Sequence, residues 1–164
     1  AITGADIFVG VSGADLLSAD DIALMAPRPV IFACSNPDPE IDPVLARSVR
    51  DDLIIGTGRS DYPNQVNNVL CFPFLFRGAL DVRASRINIE MKKAAVEALR
   101  QVAKEPVPAE VLAAADVSEL SFGPEYVIPK PMDPRLLPRV ARAVALAAVV
   151  SGVARIALPE NYML

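Results

Sequence analysis

The sequence predicts an α/β fold in which a parallel sheet is flanked by helices. Three short runs of apolar and β-branched residues, separated by segments of helical length, are predicted to be strands: residues 7–11, 30–34 and 53–57. None of the three alternates apolar with polar residues, which is typical of parallel strands buried on both faces. The β-α-β-α-β order along the chain predicts right-handed crossovers between the strands.

Two capping signals place helices between these strands. Ser-Ala-Asp-Asp at residues 18–21 resembles a capping box and predicts a short helix that ends before Pro27. Asp42 followed by Pro43 is a favourable pair for an N-cap and a first helical position, and it predicts a helix through about Val49.

Most of the chain after residue 68 is predicted to be helical. We expect an apolar helix over 69–82 with a break near Pro73, and a short helix near 110–115. Residues 88–104 carry one charged and one apolar face, which predicts a surface helix lying on the sheet. The last helix, over about 133–152, is apolar on all sides in its second half, so we expect it to be covered on every side.

Composition restricts the possible chemistry. The 164 residues are 52% hydrophobic and 22% charged, which is sufficient for one core without a disulfide or metal. The chain contains no histidine and therefore cannot form a Ser-His-Asp triad, a zinc site with histidine ligands or a histidine general base. Its net charge of −4, with scattered basic residues, argues against a nucleic-acid partner.

The cellular location is predicted from the cysteines and the apolar stretches. Cys34 and Cys71 lie in apolar runs, which indicates buried thiols in a reducing compartment. The longest uncharged apolar stretch, residues 143–154, is shorter than the roughly 20 residues that a bilayer requires. No signal-peptide pattern is present at the amino terminus. We therefore predict a cytoplasmic protein without a membrane partner, and the abrupt start in a strand suggests a segment of a larger protein.

Small and polar residues follow each predicted strand, at 10–15, 35–37 and 56–61. The carboxyl ends of parallel strands meet at one edge of a sheet, and ligands bind there, so these residues predict a ligand-binding edge. The alternative for each turn alone is a structural role, because Gly, Asn and Ser are favoured in turns. Asn-Gln-Val-Asn-Asn at 64–68 is either a receptor for a carboxylate or phosphate at a helix start or a simple N-cap.

Three segments together resemble the cofactor-binding domain of bacterial malic enzymes. They are DIFVGVSG at 6–13, CSNP at 34–37 and TGRSDYPNQVNNVLCFP at 57–73. The resemblance covers nearly the whole chain. It implies a Rossmann-like fold, of which residues 1–164 form the second half of the dinucleotide-binding domain plus carboxyl-terminal helices. The cofactor edge would then span 6–68, and the helical part about 69–164.

The resemblance also implies a reaction, the oxidative decarboxylation of (S)-malate to pyruvate and CO2 with NAD or NADP and with Mg2+ or Mn2+. In this family a lysine removes the C2 hydroxyl proton as hydride passes to the nicotinamide, and a tyrosine protonates the enolpyruvate that decarboxylation leaves. Carried over by motif, the expected malate-binding residues are Asn36, Asn67 and Asn68. The expected cofactor-binding residues are Ser12, Gly13, Ser35, Asn36 and Asn68.

The family's lysine, tyrosine, acidic metal ligands and glycine-rich turn are implied to lie upstream of Ala1. We therefore expect no catalytic residue and no metal ligand in this chain, and an isolated chain that is inactive. Its expected partners are that upstream portion and further copies in a homo-oligomer. The choice between NAD and NADP is left open, because the selecting residue follows a strand outside this chain. The alternatives are a non-catalytic nucleotide-binding or assembly module and a half-domain of another dehydrogenase.

Overall fold

The computed structural model describes residues 2–162, which divide into two compact units. The sheet unit comprises the residues up to Asn67 together with Gly123–Val127. The helical unit comprises Asn68–Phe122 and the residues from Ile128 onward.

The sheet unit contains a three-stranded parallel sheet with two helices, which confirms the predicted α/β class. The strand order is β1-β2-β3, so β2 is central and both its neighbours run parallel to it. The elements in chain order are β1 (Ile7–Gly10), α1 (Ala19–Ala23), β2 (Val30–Ala33), α2 (Pro43–Val49) and β3 (Ile54–Thr57).

Both predicted helix starts are confirmed. The Ser18 Oγ accepts a hydrogen bond from the Asp21 backbone N–H at 3.2 Å, and the Asp21 carboxylate accepts one from the Ser18 N–H at 2.9 Å, which completes the capping box. Asp42 caps α2 by accepting from two backbone N–H groups, and Pro43 occupies the first turn.

The prediction that all three strands are buried on both faces is wrong for β1. Ile31 and Ile55 are buried in β2 and β3, whereas Ile7 and Val9 of β1 are 62% and 63% exposed. Ile7 and Val9 lie on the same face of β1, so within the described residues that face is open, whereas Gly10 on the opposite face is buried. The buried core of this unit consists of Ile22, Met25, Ile31, Ala33, Ile41, Ala46, Leu53 and Ile55.

In the part of the chain that the structure describes, the helical unit contains four α-helices and one short 3-10 turn. In chain order these are the turn at Asn68–Leu70, then α3 (Phe72–Asp81), α4 (Ile89–Lys104), α5 (Ala109–Ala114) and α6 (Leu136–Val150). Pro73 does not interrupt a helix as predicted; it lies in the first turn of α3, where no backbone N–H is required.

The packing of α4 and α6 differs from the prediction. The apolar face of α4, including Met91 and Val102, packs against α6 in a shared core, so α4 is not a helix laid on the sheet. The second half of α6 is only partly covered, because Leu146 is 49% and Val150 80% exposed. Among the described residues, none of the helices has the length and apolar character that a bilayer crossing requires.

Candidate functional site

The predicted ligand-binding residues of the sheet unit lie at the carboxyl ends of its parallel strands. Ser12 and Gly13 follow β1, and Ser35 and Asn36 follow β2. Ser12 and Asn36 are exposed, while Gly13 and Ser35 are half-buried. Because these strand ends meet at one edge, the four residues form a small accessible surface, which we call the strand-end surface.

The end of β3 approaches this surface through Gly58. A Cβ atom built on Gly58 would lie 3.4 Å from the Asn36 Nδ2, so the two residues are neighbours. The absence of a side chain at Gly58 therefore leaves the Asn36 amide accessible. This closeness was not evident from the sequence, in which the two residues are 22 positions apart.

A buried carboxylate, missed by the sequence analysis, connects the first two strand ends. Glu40 has no exposed surface. Its Oε1 accepts a hydrogen bond from the Ser12 backbone N–H, and its Oε2 accepts one from the Ser35 N–H, each at 3.0 Å. Glu40 follows the Asn36-Pro37 motif by only a few residues, but no local pattern distinguishes it from a solvated acid.

The glycines at the strand ends have different roles. A Cβ on Gly10 would collide with the Glu40 side chain, and one on Gly56 would lie 2.8 Å from the Asn64 carbonyl oxygen. Both glycines therefore make room for neighbouring protein atoms. At Gly13, in contrast, an added Cβ would meet nothing within 4 Å, so open space remains for a ligand.

The loop after β3 contains a second set of charged groups. The Asp61 carboxylate accepts two hydrogen bonds from the Arg59 guanidinium, at 2.9 and 2.6 Å, and Arg59 also lies over the Tyr62 ring. The hydrogen bonds from Arg59 lower the pKa of Asp61. Asp61 is therefore held as a paired carboxylate, which does not suit it to act as a general acid or base near neutral pH.

Asn64, the first residue of the predicted amide-rich receptor, is a structural residue. It is 2% exposed, and its amide Nδ2 donates to the carbonyl oxygens of Ile55 and Pro124 at 3.1 and 2.7 Å. Its Oδ1 accepts from the Val127 N–H at 2.8 Å. These bonds tie the loop to β3 and to the 123–127 segment. Asn64 does not cap α3, because the N-cap position of that helix is Cys71, which makes no side-chain cap.

The remaining two asparagines of that segment belong to different units. Asn67 is half-buried at the end of the sheet unit, whereas Asn68 is exposed and opens the 3-10 turn of the helical unit. The Asn68 carbonyl oxygen accepts from the Cys71 N–H at 3.2 Å, and the residue is exposed, so its side chain is accessible to a ligand.

Across positions 2–162 there is no group of three or more acidic, cysteine or histidine side chains that could hold a metal ion. Divalent-metal ligation therefore does not fit this part of the chain. Cys34 and Cys71 are free and half-buried thiols, and burial raises the pKa of both, so neither is an activated nucleophile.

Comparisons with known proteins found both similar sequences and similar structures. The family model described as "Malic enzyme, NAD binding domain" matches residues 2–122. The NADP-dependent malic enzyme of Halomonas elongata is 63% identical over the whole chain, which spans 39% of that protein's length. The NADP-dependent malic enzyme of Escherichia coli K12 is 60% identical over 93% of the chain, which spans 20% of that protein. The crystal structure of malic enzyme from Pyrococcus horikoshii Ot3 superposes with a TM-score of 0.82 at 36% identity, covering 99% of this chain and 34% of that one.

Proposed function

The chain belongs to the malic enzyme family, within its NAD-binding domain, and we propose that it forms part of an enzyme that converts (S)-malate to pyruvate and CO2 with NAD or NADP. The observation that carries this proposal is the family match over residues 2–122. That range contains the strand-end surface and both Asn67 and Asn68. The accessible polar groups therefore lie in the matched part of the chain.

The proposed cofactor contacts come from the strand ends. Ser12, Gly13 and Ser35 would line the dinucleotide, since open space remains at Gly13 and hydroxyl groups can donate or accept hydrogen bonds. When bound, the nicotinamide supplies a hydride acceptor. Asn36 and Asn68 would contact the nicotinamide end, where their exposed amides can orient the carboxamide and the substrate.

The proposed malate contacts come from amide side chains. Asn36, Asn67 and Asn68 would donate N–H groups to malate carboxylate oxygens and so help to orient the substrate without adding charge to the site. The family resemblance implies Mg2+ or Mn2+ as a further requirement. The described residues offer no ligand set for that ion.

A chimeric enzyme tests the proposal. The matched segment of the Halomonas elongata enzyme is replaced by this chain, and malate-dependent formation of NADPH or NADH is followed at 340 nm with Mg2+ or Mn2+ present. We expect turnover within about tenfold of the intact Halomonas enzyme, and we expect the isolated 164-residue chain to be inactive. A chimera that is folded by circular dichroism but inactive would contradict the proposal.

Two substitutions in the chimera test the residue assignments. We expect Asn36→Ala and Asn68→Ala each to lower kcat/KM for malate by about 100-fold, because each removes hydrogen bonds to a charged substrate. Asn161→Ala is the matched control, since Asn161 is an exposed asparagine outside the proposed site. Normal malate kinetics in either site variant would remove that residue from the site.

Sedimentation of the same samples tests the expected homo-oligomer.

A further inference from the structure

A buried carboxylate close to the strand-end surface has no role in the function proposed above. Glu40 is fully buried in the described structure, although it is an acidic residue. Burying a carboxylate is costly unless hydrogen bonds replace its hydration. The positions of its partners therefore indicate what the burial achieves.

The partners of Glu40 lie in two separate loops at the proposed cofactor site. Each carboxylate oxygen accepts one backbone N–H at 3.0 Å, from Ser12 after β1 and from Ser35 after β2. Both donors are adjacent in sequence to proposed ligand-binding residues, Gly13 and Asn36. The carboxylate thus bridges the two loops that carry the proposed contacts.

The backbone around Glu40 strengthens the same connection. The Leu17 N–H donates to the Glu40 carbonyl oxygen at 2.9 Å, and the Asp15 N–H donates to the Pro39 carbonyl oxygen at 3.2 Å. The loop after β1 is therefore bonded to the loop after β2 at three points, one through the Glu40 side chain and two through the backbone, and the Ser35 bond fixes the carboxylate within its own loop.

Gly10 provides the space that this arrangement needs. A Cβ on Gly10 would collide with the Glu40 carboxyl group, whose position both hydrogen bonds already define. The absence of a side chain at Gly10 thus leaves the space that the buried Glu40 carboxyl group occupies.

We propose that Glu40 is a positioning residue for the dinucleotide: its carboxylate bridges the Ser12 and Ser35 backbones and so sets the spacing of the two loops that contact the cofactor. This inference rests on the proposed function. It predicts that a change at Glu40 weakens cofactor binding in an enzyme that remains folded, and that the chemical step changes less.

The test uses the active chimera with Glu40→Gln. The glutamine amide keeps the side-chain volume but presents an N–H2 group to one of the two backbone donors, so one bridge bond is lost. We expect KM for NADP to rise about tenfold or more, with kcat lowered by less than about threefold. Glu125→Gln is the matched control, because Glu125 is an exposed glutamate of the same unit that pairs with Arg47, and it should leave both constants unchanged.

Gly10→Ala supplies an independent variant that keeps the glutamate. Its added methyl displaces the Glu40 carboxyl group, so we expect a rise in KM for NADP of the same direction. A lower melting temperature with unchanged KM values in both variants would overturn the inference, since Glu40 would then serve stability alone. Unfolding of both variants would overturn it for the same reason. An inactive parent chimera, in contrast, would overturn the proposed function itself.

Discussion

The sheet unit and the helical unit are stabilised in different ways. The helical unit has a broad apolar core that joins α3, α4 and α6. The sheet unit has a smaller apolar core, but it contains three of the four buried polar residues found among the described positions: Glu40, Thr57 and Asn64, whereas Asp133 belongs to the helical unit.

This difference reflects what each unit holds in place. Apolar packing is sufficient to fix helices, whose backbone groups are already hydrogen-bonded internally. Loops at strand ends lack that internal pairing, so buried carboxylate and amide groups must supply it. The comparison predicts that the helical unit is most sensitive to changes of shape, and the sheet unit to changes of hydrogen bonding.

The largest expected effect comes from Gly78→Ala in α3. A Cβ at Gly78 would collide with the Ala141 carbonyl oxygen and lie 2.9 Å from the Val144 Cβ, both in α6. Alanine normally favours a helix over glycine. Here, however, we expect the free energy of unfolding to fall by about 3 to 4 kcal/mol, because the backbone atoms of α6 cannot move aside without disturbing the helix packing. Urea unfolding measures this, with Gly13→Ala as control. A Gly78→Ala variant with a higher free energy of unfolding than the wild type would show that the contact between α3 and α6 has room for the added methyl group.

The next effect is expected from Asn64→Leu in the sheet unit. This change keeps the branched arrangement of side-chain heavy atoms but leaves the Ile55 and Pro124 carbonyl oxygens and the Val127 N–H without their partner. Asn64 also has φ +53°, a region that leucine adopts less readily than asparagine. We expect a loss of about 2 to 3 kcal/mol in unfolding free energy. Asn68→Ala should cost much less stability, and equal losses for the two asparagines would contradict the distinction between them.

An intermediate effect with a pH signature is expected from Tyr162→Phe in the helical unit. The Tyr162 hydroxyl donates to the Asp81 carboxylate at 2.5 Å, and burial together with that carboxylate raises the pKa of Tyr162 to about 12. A raised pKa means that the phenol contributes stability fully below its unfolded value near 10, and loses it as pH rises toward 12.

The wild-type advantage over Tyr162→Phe should therefore be about 2 kcal/mol at pH 8 and vanish by about pH 12. Because lysines titrate equally in both proteins, the difference between their unfolding free energies isolates the phenol. A difference that stays constant from pH 8 to pH 12 would show that the hydroxyl does not couple to Asp81.

The smallest effect is expected from Glu97→Gln on the surface of α4. Hydrogen bonds from Arg100 and Gln101 lower the pKa of Glu97 to about 2, so its contribution is present above its ordinary pKa of 4.5 and is lost as pH falls through about 2. The pair is about half exposed, and water screens it. We expect the melting temperature at pH 7 to change by less than about 2 °C. A change in melting temperature as large as the one caused by Tyr162→Phe would contradict the expectation that this exposed ion pair contributes little to stability.

Those parts of the fold that depend on neighbouring residues were predictable. The Ser18 capping box and the Asp42-Pro43 helix start each form within a few residues, and both are confirmed. The partner of α4 was not predictable, because an apolar helical face specifies that something covers it without specifying what. For the same reason, the exposed face of β1 could not be distinguished from a buried one.

Some features of the candidate site were likewise predictable from the sequence, and others were not. The motif at Asn36 pointed to a strand end and the motif at residues 64–68 to a helix start. The roles proposed for the site residues remain predictions: Ser12, Gly13, Ser35, Asn36, Asn67 and Asn68. The buried role of Asn64 and the bridge made by Glu40 were not visible in the sequence. Ser12 and Glu40 are 28 residues apart, and only their spatial contact distinguishes this acid from a solvated one.

The sequence by itself determined the three strands, the capped helices and the family, because these depend on local hydrogen bonds, apolar runs and contiguous motifs. Only the tertiary structure decided which polar residues are buried and which remain accessible. Glu40 and Asn64 are buried because distant backbone groups satisfy them, whereas Asn36 and Asn68 stay exposed. Burial of a polar group depends on partners from elsewhere in the chain, and that information is created when the chain folds.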